Sequence, residues 1–425
     1  MTTLMGNMKN TKIMITGKKT LSGTVRIAGA KNAALPELAA VLLSNGQFYF
    51  TDVPQVEDIK VMFRALQNLG AEGFFNGNTV DIAIPRVKSA LVPKEITESS
   101  RASILILGPL LARNGFAEVS QPGGCPIGDR NINYHLDGLR KMGAIIDEAP
   151  DRITARTEKQ LQAIDYTFPS KSVTGTENLL MAATLAEGTT VLQNCAIEPE
   201  IGDLIDLLMD MGADIQGKNS DTLIVHGKTS LSGTTHRIIP DRIEMGTYVI
   251  AGCLGENDII VENAVPEYIQ SLLEVLEQIG VKTNSVNNSI SIIKKDLFKP
   301  VSVETLPHPG FPTDLQAQLT TLLTQVEGVS QIKENIFNNR FQHAGELNKM
   351  GAQIVVAGDI ARITGKTSLT GTTLRATDLR ASAALILAGL VATGESFMEN
   401  PYQLFRGYEN MPGKLIALGA DVKLL

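Results

Sequence analysis

The 425-residue sequence predicts an α/β fold made of six copies of one small unit, grouped as two lobes of three. The first of three supporting observations is a helix-ending glycine in Leu69-Gly70-Ala71, Met142-Gly143-Ala144, Met211-Gly212-Ala213, Ile279-Gly280-Val281, Met350-Gly351-Ala352 and Leu418-Gly419-Ala420, at intervals of 73, 69, 68, 71 and 68 residues. The second is another series, Gly46, Gly115, Gly188, Gly255, Gly328 and Gly394. Each follows an apolar run, precedes a β-like stretch, and stands 24, 28, 24, 25, 23 and 25 residues before its partner in the first series. The third is the apolar run itself: Ile104 to Leu111 and Ala383 to Val391 are apolar around most of a helix, so they require enclosure on all sides.

Within the first copy, Leu35 to Leu43 reads as the enclosed helix, ended by Asn45-Gly46, and Gln47 to Asp52 as a strand. Val56 to Leu69 reads as an amphipathic helix with Ile59, Met62, Phe63, Leu66 and Leu69 on one face, and the alternation of Val80-Asp81-Ile82-Ala83-Ile84 as a closing strand. Three enclosed helices then stand inside a ring of sheets in each lobe. The expected lobes are residues 31–239, and 1–30 with 240–425. Such a discontinuous division crosses between lobes twice, first over Gly17 to Lys31, which is how a hinge is built.

Hydrophobic content of 43% and 20% charged residues are those of an ordinary soluble globular protein, and a net charge of -7 argues against general nucleic-acid binding. The longest apolar runs are too short to cross a bilayer, and Met1 to Lys12 lacks the apolar core of a secretion signal. Three cysteines, Cys125, Cys195 and Cys253, show no paired spacing, which fits a reducing cytoplasm. No His-x-x-x-His or Cys-x-x-Cys pattern appears among the five histidines and three cysteines, so no zinc or other metal site is expected.

The residues leading into the enclosed helices are polar: Lys31 and Asn32, Ser100 and Arg101, Gly175 and Thr176, Asp241 and Arg242, Thr313 and Asp314, Asp378 and Arg380. Parallel helices would gather these starts on one face of each lobe, and each start offers unpaired N–H groups and about half a positive charge. Two such faces across a hinge would trap an anion. N-capping accounts equally for Thr176 and Thr313. It does not account for Lys31, Arg101 and Arg380, because a cation at a positive helix end is unfavourable, and a bound anion is expected there.

Arg130, Lys171, Arg340 and Arg406 add loop cations, and guanidinium groups clamp phosphate or carboxylate bidentately. The second copy is lengthened where Pro122 to Gly128 sits. Gly123, Gly124 and Gly128 permit backbone excursions and Pro122 and Pro126 limit them, so the segment reads either as a lid carrying Cys125 beside Arg130 or as a tight turn with a plain surface cysteine. Cys195 and Cys253 read as core residues.

Together these residues resemble a known family. Gly29-Ala30-Lys31-Asn32-Ala33-Ala34-Leu35-Pro36, Pro122-Gly123-Gly124-Cys125-Pro126-Ile127-Gly128-Asp129-Arg130, Gly310-Phe311-Pro312-Thr313-Asp314 and Asp378-Leu379-Arg380-Ala381-Ser382 are similar to segments of the bacterial UDP-N-acetylglucosamine 1-carboxyvinyltransferases, which are enolpyruvyl transferases. The resemblance spans nearly the whole chain. It implies a two-lobed inside-out α/β barrel fold with three repeats per lobe, closing on a sugar nucleotide. It also implies transfer of the enolpyruvyl group of phosphoenolpyruvate to the 3′-hydroxyl of UDP-N-acetylglucosamine through a tetrahedral ketal, with loss of phosphate and no cofactor. That reaction is the first committed step of peptidoglycan precursor synthesis.

By motif, the resemblance implies that Lys31, Arg130 and Arg406 hold phosphoenolpyruvate, that Cys125 helps protonate its methylene carbon, and that Asp314 takes the hydroxyl proton. Asn32, Arg101, Asp378 and Arg380 would line the same cleft, with Lys171, Ser172, Val173, Gly175 and Ile336 on the nucleotide side. Fosfomycin would alkylate Cys125. Asn131, Asn133 and Tyr134 depart from the family's usual Pro, Asp and aliphatic residue, which bears on contacts to the uracil. Two other enzyme-family readings stand beside this one: a 5-enolpyruvylshikimate-3-phosphate synthase, which shares fold and chemistry but lacks the cysteine lid, and a non-catalytic nucleotide-binding paralogue. The paralogue would require loss of Cys125, Asp314 or a clamp arginine, and a redox sensor at Cys125 would require a resolving thiol.

Overall fold

The computed structural model describes residues 11–93, 101–121, 132–295 and 298–425, with backbone alone at 101–102 and 294–295. The Pro122 to Gly128 loop, and with it Cys125 and Arg130, lies outside the described residues, as does the side chain of Arg101.

Helices recur in pairs. In residues 29–239 they are α1 (Lys31–Ala40) and α2 (Glu57–Leu69), α3 (Leu107–Asn114) and α4 (Asn133–Lys141), then α5 (Val173–Ala183) and α6 (Pro199–Asp210). In residues 240–425 they are α7 (Arg242–Cys253) and α8 (Gln270–Ile279), then α9 (Gln316–Leu323) and α10 (Gln342–Lys349). The last are α11 (Leu379–Val391) and the short α12 (Tyr402–Phe405) and α13 (Met411–Ala417). The first helix of each pair is buried nearly all round, with every residue of α7 enclosed, whereas α2 buries one face through Ile59, Met62, Phe63, Leu66 and Leu69. Truncating Leu66 to Ala in that face would cost about 2–5 kcal/mol.

The glycine periodicity has a backbone cause. All six glycines of the first series take positive φ, from 97° to 115°. Each ends its helix in the left-handed region that residues with a Cβ avoid. After α2, Gly70 N–H donates to Gln67 O (3.1 Å) and Ala71 N–H to Leu66 O (2.9 Å), the bond pair of a Schellman turn. The same pair recurs at Gly143-Ala144, Gly212-Ala213, Gly351-Ala352 and Gly419-Ala420. In the second series Gly115, Gly188, Gly255, Gly328 and Gly394 also have positive φ. Gly46 is a glycine for another reason: a Cβ there would lie 2.3 Å from the backbone nitrogen of Gly233.

Six sheets accompany the helix pairs, five of four strands and one of three. In each four-stranded sheet a short edge strand pairs parallel with the strand after the enclosed helix, as Asp165–Thr167 does with Thr189–Gln193 and Ser302–Glu304 with Gly328–Lys333. The three-stranded sheet keeps a trace of that edge in the parallel bridge between Leu91 and Glu118. Three sheets are completed by distant segments, one of them by Ser22–Arg26 beside Asp258–Glu262. Thr235–Arg237 pairs with Gln47–Thr51, and Lys12–Thr16 lies between Glu395–Glu399 and Asp421–Leu424.

The chain accordingly divides into two compact units, one of residues 12–28 with 240–425 and one within 29–239, and each has its own continuous apolar core. In both, the first and last described parts of the unit's sequence are hydrogen-bonded into one sheet.

Two helix expectations need correction. The first enclosed helix begins at Lys31 rather than Leu35 and tightens into a 3-10 turn at Val41–Leu43. The apolar run from Ile104 is not one α-helix: Arg101–Ile106 is a 3-10 turn that α3 continues. The reason is Asn178 of α5. Its Oδ1 accepts the Gly108 N–H (2.7 Å) and its Nδ2 donates to Ile104 O (2.9 Å), so a side chain takes both groups of one i to i−4 bond. Gly108 leaves the room, since a Cβ there would meet Asn178 Oδ1 at 2.0 Å.

Candidate active site

In the unit of residues 240–425, α11 begins at an acid. The Asp378 carboxylate accepts the N–H groups of Arg380 (2.8 Å) and Ala381 (3.0 Å), which caps the helix. The Arg380 side chain then reaches Asp314, with Nε at 3.0 Å and Nη2 at 2.8 Å from Oδ2, while Arg340 Nη2 meets the other oxygen at 2.7 Å. One carboxylate is held between two guanidinium groups. Both arginine side chains are almost fully enclosed, at 3% and 4% exposure, against 26% for Asp314.

Burial works against a charge on Arg380, but Asp314, Tyr408 and Asp241 more than offset it and raise the arginine above its ordinary pKa. Its guanidinium lies 5.4 Å over the Tyr408 ring. The Tyr408 hydroxyl is fixed in turn by Thr247 (3.1 Å) and Gln318 (2.9 Å). Arg380 Nη1 is buried and has no hydrogen-bond partner among the described residues.

Asp314 sits in the 3-10 turn Thr313–Leu315 ahead of α9. Thr313 does not cap this turn: its Oγ1 donates to Glu334 (2.8 Å). Glu334, which the sequence reading missed, also accepts from Thr305 and from the N–H groups of Ile336 and Phe337, and so holds the loop where Ile336 is exposed. A signal was available. Four other strands are followed by Asp or Asn in the sequence, at Asp52, Asn194, Asn263 and Asn400, all of which take positive φ, and a glutamate in the matching place breaks that pattern. Arg406, buried after α12, donates to Gln403 (3.3 Å).

In the unit within 29–239, Lys31 opens α1 with no side-chain cap, and its Nζ lies 3.4 Å from Asp58 Oδ2 in the first turn of α2. The anion expected beside this cation is therefore present in the chain itself, just as Asp314 is for Arg380. Asn32, next in α1, is half-buried. Ser172 caps α5 by accepting the Gly175 N–H (3.2 Å), and Val173 is the first residue of that helix. Gly175 and Thr176 consequently lie inside α5 rather than before it, and Thr176 accepts the Ala196 N–H instead of capping. Lys171 donates to Cys195 O (2.8 Å) and stands 3.6 Å from Asp221. Burial pushes the Cys195 thiol up to about 12, in keeping with a core role. Tyr134 shares a hydrogen bond with Ser170 (2.9 Å), close to this cap.

A cavity of about 660 Å³ in the same unit is lined by Leu43, Ser44, Ala112, Arg113 and Leu185, at the C-terminal ends of the enclosed helices. Arg113 covers the carbonyls of Leu42, Ser44 and Ile84 there. Helix C-terminal ends suit cations, which is the role Arg113 fills, and do not favour an anion.

Residues 15–415 match the family model described as EPSP synthase (3-phosphoshikimate 1-carboxyvinyltransferase). The fold is similar to that of the enolpyruvyl transferase NikO from Streptomyces tendae, with a TM-score of 0.88, 25% identity and coverage of 97% of this chain and 98% of that one. It is also similar to EPSP synthase from Acinetobacter baumannii, at TM-score 0.76 and 18% identity over 97% and 100% of the two chains, a likeness of fold alone. The chain belongs to the enolpyruvyl transferase family and has its mixed α/β fold.

Within that family it is 47% identical, over 97% of this chain and 96% of the relative, to the UDP-N-acetylglucosamine 1-carboxyvinyltransferase of Koribacter versatilis. It is 45% identical, over 97% and 99%, to the protein of the same name from Magnetococcus marinus.

Proposed function

We infer that the protein transfers the enolpyruvyl group of phosphoenolpyruvate to the 3′-hydroxyl of UDP-N-acetylglucosamine and releases phosphate, committing the sugar nucleotide to peptidoglycan precursor synthesis. The observation that carries this reading is 47% identity, over nearly the full length of both chains, to a relative named for that activity. The second enzyme reading, transfer to shikimate 3-phosphate, rests on the description of the family model that residues 15–415 match and on a fold likeness at 18% identity, neither of which reaches the likeness to the sugar-nucleotide enzymes.

The chemistry sets the roles. Carbon C2 of phosphoenolpyruvate becomes electrophilic only if C3 takes a proton, and the carboxylate and phosphate repel an incoming oxygen unless cations neutralise them. Lys31, Arg130 and Arg406 supply those cations in this reading, Cys125 delivers the C3 proton, and Asp314 accepts the hydroxyl proton as the ketal forms. Loss of phosphate with a proton from C3 then restores the double bond. The grip of Arg340 and Arg380 supports the role of Asp314, because it fixes the carboxylate in one orientation and leaves part of it open to solvent. Asn32, Arg101, Asp378 and Arg380 orient the reacting groups, and Lys171, Ser172, Val173, Gly175 and Ile336 take the nucleotide.

The finer architecture belongs to the same reading. Each unit is an inside-out α/β barrel of three repeats, which the six sheets and the two glycine series support. Pro122 to Gly128 is a lid, the compartment is the cytoplasm, and fosfomycin alkylates Cys125. Phosphate release by the purified protein tests the reading. Turnover with UDP-N-acetylglucosamine that fosfomycin abolishes is expected, and turnover with shikimate 3-phosphate alone would overturn it.

A further inference from the structure

Away from the residues given roles above, three side chains from distant parts of the sequence converge in the core of the 29–239 unit. Glu37 comes from α1, Asp203 from α6, and His236 from the closing strand Thr235–Arg237. His236 Nε2 lies 3.1 Å from Asp203 Oδ1 and 3.6 Å from Glu37 Oε1, and one ligand atom from each residue falls within 4.8 Å of the other two. Their side chains are 0%, 4% and 9% exposed. Among the described residues this is the one His, Cys, Asp and Glu cluster with such spacing.

Two further observations bear on what the cluster holds. Both carboxylate oxygens of Glu37 are fully buried and lack a hydrogen-bond partner among the described residues, although Oε1 is directed at the imidazole 3.6 Å away. A buried acceptor left in this way carries a desolvation cost that a hydrogen bond or a cation would remove. The charge count is the second. With both acids ionised and the imidazole neutral the cluster would carry two negative charges, which one divalent cation balances. Without an ion, burial lowers the His236 pKa but Asp203 and Glu37 more than offset it and raise it to about 10, so a metal has to displace that proton.

The distances also suit a metal. A tetrahedral ion with arms of about 2.0–2.1 Å to N and O ligands separates those ligands by roughly 3.3–3.4 Å, and the separations of 3.1 and 3.6 Å bracket that value. The Ile239 N–H holds the other Asp203 oxygen at 3.0 Å, the kind of outer support that orients a metal-binding carboxylate. His236, the least enclosed of the three, marks the side from which an ion would enter.

We propose that Glu37, Asp203 and His236 bind one divalent transition-metal ion of the zinc type, with a structural rather than catalytic role. The ion cross-links two helices to the strand that completes the Gln47–Thr51 sheet, a few residues before the chain leaves this unit. No linear motif announces such a site, because its ligands stand at positions 37, 203 and 236. The alternative occupant is a proton, with an imidazolium shared between the acids.

The test uses the full-length protein, stripped with a chelator and titrated with zinc and, separately, cobalt(II). Metal content, thermal midpoint and the visible cobalt spectrum are the readouts. The expected result is one tightly held equivalent, a thermal midpoint that rises with zinc, and a tetrahedral cobalt spectrum. Glu37→Gln and His236→Gln, both close in size to the native residues, should each weaken binding by at least about 100-fold and abolish the cobalt spectrum. Cys125→Ser should leave both unchanged. Absence of stoichiometric binding in the wild-type protein would overturn the proposal in favour of a shared proton. Undiminished binding in Glu37→Gln and His236→Gln would overturn it by placing the ion elsewhere. Should either variant unfold, Asp203→Asn read by the same cobalt spectrum provides the decision.

Discussion

Enclosed helices begin in two ways in this molecule. At α5, α7 and α11 a side chain closes the first turn, from Ser172, Asp241 and Asp378. At α1 and at the Thr313–Leu315 turn no side chain does, and these open starts carry Lys31 and Asp314. A missing cap costs about 1 kcal/mol. The capped starts hold the frame, and in the proposed reading the two starts without a side-chain cap are where a ligand is met. Asp378 does both jobs at one remove: by capping α11 it fixes the backbone from which Arg380 reaches the carboxylate of Asp314.

The largest effect is expected where this contrast meets the chemistry. Asp314→Asn keeps the shape of the side chain but removes the proposed proton acceptor and, with its charge, both ion pairs to Arg340 and Arg380. Phosphate release should fall by about 10²–10⁴-fold, the usual worth of a positioned acid or base. Sugar-nucleotide affinity should change much less, and calorimetric titration alongside the rate measurement separates the two. Near-normal turnover would remove Asp314 from the reaction and leave it as a structural partner of the two arginines.

A buried histidine beside the same helix start gives a pH signature. His343 of α10 is fully enclosed and neither ring nitrogen has a hydrogen-bond partner among the described residues. Burial, opposed by the Asp378 charge and reinforced by the Arg340 charge, brings its pKa down from 6.5 to about 4. Below about pH 6.5 the unfolded chain therefore takes up a proton that the folded chain refuses. The stability from neutral His343 is fully present above that pH and is lost as pH falls toward 4. The loss should reach about 2 kcal/mol by about pH 5. Urea unfolding near pH 7.5 and pH 5, compared between wild type and His343→Phe, isolates this share. Equal pH slopes in the two proteins would contradict it.

Much of the frame was legible in the sequence because its cause is local. A left-handed residue that ends a helix demands glycine whatever surrounds it, so the glycine series reported the helix ends before any packing was known. The charged residues proposed for the site were legible as helix-start residues for the same reason, since Lys31, Asp314, Asp378 and Arg380 sit in short runs tied to helix starts. What escaped depends on side chains meeting across the fold. Asp58 beside Lys31, Asn178 replacing a backbone bond in the run before α3, and Glu334 holding the Ile336 loop are polar residues in otherwise ordinary stretches. Nothing in their neighbours along the chain specifies the partner. Thr176 and Thr313 failed as caps through the converse error, because a residue type favoured at helix starts had been claimed by a tertiary hydrogen bond.

Breaking a closed start comes next in size. Asp378→Ala removes the acceptor for two buried N–H groups, so a cost of about 1–2 kcal/mol is expected in chemical denaturation, toward the upper range for a lost cap. Because Arg380 loses its anchored backbone, turnover should fall as well. Asp378→Asn keeps an acceptor oxygen and should recover most of the stability. If the alanine variant were as stable as wild type, the closed starts would not be what holds the frame.

The smallest effect is the sharpest test, because it closes an open start instead of opening a closed one. Ala30 precedes α1 with φ −70° and ψ 119°, the extended geometry of a capping residue, yet alanine offers no acceptor. A serine adds only a hydroxyl at this buried position and should cap the first turn, stabilising the protein by about 0.5–1 kcal/mol. In the proposed reading the same bond would compete with phosphoenolpyruvate for a backbone donor beside Lys31. Ala30→Ser should therefore raise the denaturation midpoint while raising the KM for phosphoenolpyruvate, a gain in stability bought with function. A variant that gained stability and bound phosphoenolpyruvate as well as before would show that the open start of α1 is unused. One that lost stability would show that the pocket around Ala30, and not the missing cap, governs this end of the helix.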